Sequence, residues 1–186
     1  PPVRPWREER HSMNIMIVGC GKVGQTLAQQ LNEEGNNITV IDTDADRVSN
    51  LSAQLDVMGY VGNGATHTTQ QEAGIDKTDL LIAVTGSDEL NLLCGLIAKK
   101  AGNCQTIARV KNPAYSTETA YFKDELGLAM VINPEHAAAA EIARVLRFPS
   151  AIKIDTFAGG RVELLKYKVP EGSRLTGMAV RDVVAK

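Results

Sequence analysis

Short apolar runs separated by longer amphipathic stretches recur along the chain from Met13 onward. Six runs have strand length: residues 15–18, 38–41, 57–61, 80–84, 106–110 and 129–132. Several are apolar without a period of two, the pattern of parallel strands buried on both faces. Between them, residues 23–34, 45–54, 68–73, 89–101 and 117–125 carry helix-like spacing. Strands that alternate with helices in this way predict an α/β fold with a doubly wound parallel sheet of order 3-2-1-4-5-6. Right-handed crossovers then bring all the strand C-termini to one edge, where a ligand would sit.

A further helix is predicted over 134–147. Asn133 is a candidate N-cap, Pro134 fits the first helical position, and Glu135 suits the positive end of the dipole. Alanines 137–140, Ile142, Ala143, Val145 and Leu146 give this helix a broad apolar face. Such a face suits either covering an edge of the domain or packing against another chain. After Pro149 the texture changes. Runs 151–157 and 162–169 flank Gly159-Gly160 as a hairpin would, a turn follows at Val169-Pro170-Glu171-Gly172-Ser173, and a short helix is expected near 179–184. Residues 150–186 are too few to bury a core of their own, so they are expected to be the start of a truncated second domain. Residues 13–149 make the first domain. Residues 1–12, rich in arginine and proline and without apolar periodicity, read as an expression tag or scar.

Composition narrows the function classes. Hydrophobic residues make up 44% and charged residues 23%, as in ordinary globular proteins. A net charge of −2 with no lysine–arginine cluster gives no field to draw nucleic acid. No apolar run approaches the ~18 residues of a membrane span. Cys20, Cys94 and Cys104 form neither a disulfide framework nor a zinc pattern, and suit the reduced thiols of a cytosol.

The chemistry concentrates at Gly19-x-Gly21-x-x-Gly24, which follows the first strand and opens the first helix. The first glycine permits a tight turn, the second lets a pyrophosphate approach the backbone, and the third allows close helix–strand packing. The helix N-terminus adds free N–H groups and partial positive charge. Asp42, at the end of the second strand, is placed to accept ribose hydroxyls and to repel a 2′-phosphate, favouring NAD or ATP over NADP. The domain therefore reads as Rossmann-like. Thr43 and Asp44 continue from Asp42. Asp44, Asp46 and Arg47 suit contact with the adenosine rim and helix capping equally.

Further candidates lie at the other strand ends. Gly62-Asn63-Gly64 ends the third strand and leaves room for an adenine ring, or is an ordinary turn. Val84-Thr85-Gly86-Ser87-Asp88 ends the fourth, where a small polar turn can lie against ribose or phosphate, and where Ser87 or Asp88 also fits a helix cap. Arg109 is a charge inside an apolar strand, which burial makes costly unless it meets a phosphate or an ion-pair partner. Lys22 either reaches a phosphate or stands exposed in the first turn, and Val23 completes the loop. His67 and His136 have no ligand-spaced partner, so no metal site is expected. No catalytic set is visible, although a fragment of an NAD-dependent oxidoreductase is an alternative. An S-adenosylmethionine-dependent methyltransferase suits the third glycine and Arg109 less well.

These segments together resemble one family. Met-Asn-Ile-Met-Ile-Val-Gly-Cys-Gly-Lys-Val-Gly (13–24), Ile-Thr-Val-Ile-Asp (38–42), Leu-Ile-Ala-Val-Thr (81–85), Glu-Leu-Asn (89–91), Ile-Ala-Arg-Val (107–110) and Asn-Pro-Glu (133–135) are similar to the RCK/KTN domains, cytosolic regulators of potassium channels and transporters. The resemblance implies binding of NAD(H) or ATP/ADP, with Gly19, Cys20, Gly21, Lys22, Val23, Asp42, Thr85, Gly86 and Arg109 as nucleotide contacts. It places Glu135 near the phosphates, where related ATP-binding members hold a cation. The same glutamate is also an ordinary dipole-favoured first-turn acid. It implies a regulatory rather than catalytic protein, homo-oligomeric as a dimer or a ring. Such a protein is cytoplasmic, held at the inner face of the plasma membrane by a membrane potassium-transporter subunit. Residues 150–186 resemble the start of the family's α+β RCK_C subdomain.

Overall fold

The computed structural model describes residues 12–102, 104–116, 118–148, 151–158 and 161–179. Six strands form one sheet: β1 (Asn14–Val18), β2 (Asn37–Asp42), β3 (Val57–Val61), β4 (Leu80–Ala83), β5 (Gln105–Arg109) and β6 (Met130–Ile132). The helices between and after them are α1 (Lys22–Glu33), α2 (Ala45–Gln54), α3 (His67–Glu72), α4 (Asp88–Ala101), α5 (Pro113–Ser116), α6 (Thr119–Leu126) and α7 (Pro134–Arg147). The sheet order is β3-β2-β1-β4-β5-β6, as the alternation predicts, and every neighbouring pair is parallel.

Alternation along each central strand feeds two separate cores. On one face Ile15, Ile17, Ile38, Val40 and Ile82 pack with Ala28 of α1 and with Val48 and Leu51 of α2. On the other, Met16, Val18, Ile41, Leu81 and Ala83 meet Ala73, Ile75, Cys94 and Ala98. Both faces of β1 and β2 are therefore dry, which is why those strands read as continuous apolar runs. The edge strand β3 differs: Met58 and Val61 are each 58% exposed. A third cluster, Leu92, Ala108, Val110 and Leu128 with Tyr115 and Phe122, seals the β5–β6 side.

The order reverses between β1 and β4. The chain leaves β1 towards α1 and leaves β4 towards α4, on opposite faces. A crevice opens between the two departing loops at the C-terminal edge. Two short elements had no signal in the apolar pattern. A 3-10 turn at Ile75–Lys77 buries Ile75, and α5 is a single turn after Pro113. Thr117, the expected start of the fifth helical stretch, lies outside the described residues, as do Gly159-Gly160 and 180–186 of the expected hairpin turn and last helix.

By compactness the chain divides into Pro1–Pro134 and Glu135–Lys186. In the second unit, β7 (Ala151–Phe157) and β8 (Val162–Tyr167) pair antiparallel, with Phe157 opposite Val162. Helix α7 buries none of its residues, and Ile142, Val145 and Leu146 stay exposed. No helix among the described residues is long and apolar enough to cross a membrane.

Candidate functional site

A cleft of about 290 Å³ occupies the crevice at the C-terminal edge of the first unit. Its floor is the glycine loop. Gly19 has φ +106°, a left-handed conformation that favours glycine, and donates its N–H to the Ile41 carbonyl at 2.8 Å. A Cβ there would stand 2.9 Å from the Thr85 nitrogen, so the β1 and β4 loops close together only because it is absent. At Gly24 a Cβ would fall 1.8 Å from the Gly19 carbonyl oxygen, and this glycine lets α1 press against the loop. Gly21 is different in kind. Its φ of −72° is open to any residue, and a Cβ there would meet nothing within 4 Å. What its missing side chain leaves is open cleft. Gly21 is also the N-cap of α1 and supplies no side-chain cap, so the first-turn N–H groups and the positive helix end face that space.

One wall comes from β2. Asp42 lines the cleft, and its carboxylate grips two backbones. Oδ2 accepts the Cys20 N–H at 2.6 Å, and Oδ1 accepts the Asp44 N–H at 3.0 Å. Each oxygen keeps a lone pair for a ligand hydroxyl. Asp42 therefore ties the glycine loop to the start of α2, a role not visible in the spacing alone. Thr43 also lines the cleft. Asp44 does not: it caps α2 by accepting the Asp46 and Arg47 N–H groups, and it pairs with Arg47 Nε at 3.0 Å. Of the two readings left open for Asp44, capping is what its side chain does. Arg47 itself lines the cleft and brings a cation to that rim.

The loops after β3 and β4 complete the walls. Gly62, Asn63 and Gly64 line the cleft on one side, and Val84, Thr85, Gly86, Ser87 and Leu90 on the other. Two fully buried amides hold these loops. Gln70 donates from Nε2 to the Gly64 and Cys94 carbonyls at 2.7 and 3.0 Å. Asn91 accepts from the Thr85 N–H and hydroxyl and donates to the Arg109 carbonyl. Ser87 is the N-cap of α4. Asp88 instead turns inward, and its Oδ2 accepts the Lys111 and Asn112 N–H groups at 3.0 and 2.8 Å. Gln70 and Asn91 were not among the candidates, because a buried amide looks like any other polar helix residue until its partners are known. Asn91 does stand in the Glu-Leu-Asn segment that carries the family resemblance.

The remaining candidates lie outside the cleft lining. The Cys20 side chain is fully buried in the core, and burial, reinforced by the Asp42 charge, pushes its thiol up to about 12. It is a packing residue whose backbone N–H serves Asp42. Lys22 is exposed and, with Val23, lines a shallow depression on α1. Arg109 is half-buried at the end of β5. Glu135 stands in the first turn of α7, in the second unit. Asn133 donates to the Lys111 carbonyl at 3.0 Å and joins the ends of β5 and β6.

A parallel sheet of this order, with a glycine loop opening a helix at its C-terminal edge, defines a Rossmann-type nucleotide-binding fold. More specifically, residues 15–134 match the model of the TrkA-N domain, and the chain belongs to that family. The Trk system potassium uptake protein TrkA homolog of Archaeoglobus fulgidus is 40% identical over 171 residues, covering 92% of this chain and 39% of the relative. The chain thus spans about two fifths of the length of the curated relatives it matches. Among solved structures, the TrkA-N domain of the Escherichia coli inner membrane protein ybaL superposes with a TM-score of 0.64 at 25% identity, covering 74% of this chain and 98% of that one. The GsuK channel bound to NAD superposes with a TM-score of 0.56 at 19% identity over 67% of this chain and 22% of that one, a likeness of fold.

Proposed function

We propose that the cleft binds an adenine nucleotide, NAD(H) or ATP/ADP, and that the chain is the nucleotide-sensing part of a cytoplasmic regulatory subunit of a Trk-type potassium uptake system. The observation that carries this reading is Gly21, an open position that needs no glycine for its backbone and stands at an uncapped helix N-terminus. A phosphate fits where its Cβ would be. In this assignment the loop from Gly19 to Gly24 cradles the phosphates, with the first-turn N–H groups of Lys22, Val23 and Gly24 as donors, while the Gly19 and Cys20 N–H groups stay with Ile41 and Asp42. Asp42 and Thr43 serve the adenosine ribose side, and Asn63 and Gly64 the adenine, while Asp44 caps α2. Val84, Thr85 and Gly86 face the far end of the ligand, with Arg109 at the phosphates. The GsuK channel, solved with NAD and with ADP, supports the choice of ligand class by likeness of fold.

The names of the curated relatives support the potassium-uptake role. We take residues 13–149 as the nucleotide-binding domain and 150–186 as the opening of an RCK_C subdomain. The exposed apolar residues of α7 suit a homo-oligomer, a dimer or a ring, beneath a membrane transporter subunit. A ligand shifts such an assembly only through its differential affinity for two states, and a tenfold difference is about 1.4 kcal/mol per site.

The test uses the full-length protein with its membrane partner in liposomes. Potassium flux is expected to change with NADH and with ATP, and the response is expected to vanish in Gly21→Ala. Flux that ignores nucleotide, or a response that survives the substitution, would return this domain to the status of a scaffold.

A further inference from the structure

The β3 and β4 walls of the cleft hang from one helix. On the β4 side, Asn91 of α4 accepts the Thr85 N–H and hydroxyl. On the β3 side the link runs through Gln70 of α3. This residue is fully buried and does not line the cleft. Its Nε2 donates to the Gly64 carbonyl at 2.7 Å and to the Cys94 carbonyl, in α4, at 3.0 Å. An amide nitrogen has two protons, and these two carbonyls take both. The other end gains nothing: Gln70 Oε1 is buried and has no hydrogen-bond partner among the described residues. Burying a polar atom unpaired is costly. An apolar side chain of the same length would fill the space without that cost, so packing does not account for the amide. What the amide adds is a bond from the β3 loop to α4.

That loop needs a hold at its middle. It is bonded on either side: the Gly62 N–H donates to the Asp42 carbonyl at 2.9 Å, and the Asn63 carbonyl accepts the Thr66 N–H and hydroxyl, each at 3.0 Å. Gly64 lies between, and the two glycines beside Asn63 leave this stretch wide backbone freedom. A Cβ on Gly64 would collide with Val18 Cγ1, so the backbone already rests on the end of β1 and cannot move further in. Gln70 stops it from moving out. Asn63 and Gly64, which line the cleft, are thereby set at a fixed distance from α4 and, through Asn91, from Thr85.

We infer that Gln70 is a positioning residue that ties the Asn63–Gly64 wall to α4, so that the cleft holds the width of its ligand before the ligand arrives. The inference rests on the nucleotide-binding reading above and assigns how that site is kept ready. Gln70 acts through Gly64 and does not itself touch the ligand.

Two substitutions test it by calorimetric titration of the chain. Gln70→Met keeps the length of the side chain and removes both donors. AMP, ADP and NAD carry the same adenosine end, and each is expected to bind roughly three- to tenfold more weakly, by a common factor, because the loop must then be ordered as the ligand binds. In the ligand-free variant, amide exchange should quicken about tenfold or more at Ala65 and Thr66, whose N–H groups bond to Asn63, and stay unchanged at Thr85, which Asn91 still holds. Gln70→Glu separates positioning from packing. Its protonated carboxyl can donate to one of the two carbonyls, and its carboxylate to neither. Burial raises such a carboxyl towards neutral pH, so the affinity of this variant for NAD relative to the parent should fall between about pH 6 and about pH 9. The parent carries the same His67 and Glu72 on α3 and the same Asp88 and Glu89 on α4, so their titration cancels in the ratio. A packing role alone would leave that ratio flat. Parent affinity retained in Gln70→Met, a loss that grows from AMP to NAD, unchanged exchange at Ala65 and Thr66, or a flat ratio in Gln70→Glu would each overturn the role. Either variant decides the matter should the other fold poorly. Failure of AMP, ADP and NAD to bind the parent would overturn the nucleotide reading itself, a result distinct from equal binding by parent and variant.

Discussion

Two glycines three residues apart should fail in opposite ways when each is changed to alanine. At Gly24 the new methyl would lie 1.8 Å from the Gly19 carbonyl oxygen, which is backbone and cannot rotate away. Relief needs the loop or α1 to move by on the order of an ångström, against a core that includes Ala28 and Val84. Overpacking of this kind costs about 1–3 kcal/mol and occasionally more. For a chain of this size that corresponds to a melting temperature roughly 2–10 °C lower. At Gly21 the methyl meets nothing, and φ −72° with ψ −175° is ordinary extended backbone for alanine. Its ligand-free stability should stay within about 0.5 kcal/mol of the parent, or rise slightly because the unfolded chain loses freedom. The methyl does, however, occupy the space offered to a phosphate. Thermal melts with and without nucleotide read both effects. At a hundred times Kd a ligand adds about 2.7 kcal/mol, a rise of roughly 5–10 °C. Gly21→Ala should keep the bare melting temperature and lose that rise. Gly24→Ala should lose melting temperature before any ligand is added. A Gly21→Ala protein that melts well below the parent, or one that keeps the full nucleotide shift, would refute the distinction between a packing glycine and a ligand glycine.

Asp42→Ala should weaken binding of NAD or ATP by roughly 1–3 kcal/mol and also lower the ligand-free melting temperature, because the carboxylate holds the Cys20 and Asp44 N–H groups. Titration with NAD or ATP and a melt on the same variant check both losses, and affinity lost without any change in melting would contradict the bracing role. The three thiols are buried and free, with Cys20 and Cys94 pushed up to about 12 by burial. They should resist alkylation in the native protein at pH 8 and react at once in denaturant. Folding raises these pKa values, so the native state keeps protons that the unfolded chain releases. The associated stability is whole below about pH 9 and is lost as pH rises from there towards 12. Urea midpoints measured across that range should fall, and a flat profile would contradict the burial argument.

Much of the architecture was legible because it depends on local chemistry. Period and length separate strands from helices, and strands buried on both faces need no alternation, so the six runs and their order follow from the apolar pattern. Gly19, Gly21, Gly24 and Asp42 were legible as a glycine loop with a strand-end acid for the same reason: strand, turn and helix start are contiguous in the chain. Three features needed the tertiary structure. The distinct roles of Gly21 and Gly24 depend on what stands opposite each, a carbonyl in one case and open cleft in the other. The inward grip of Asp42 joins residues 22 apart. The amides of Gln70 and Asn91 acquire meaning only from the carbonyls and the hydroxyl that folding brings to them, since a hydrogen bond depends on distance and direction and leaves no period in the chain. The amino-acid sequence by itself determined where a nucleotide loop can form. Only the packing of β4 and β5 around Asn91 decided that the Thr85 N–H and hydroxyl turn to its amide oxygen.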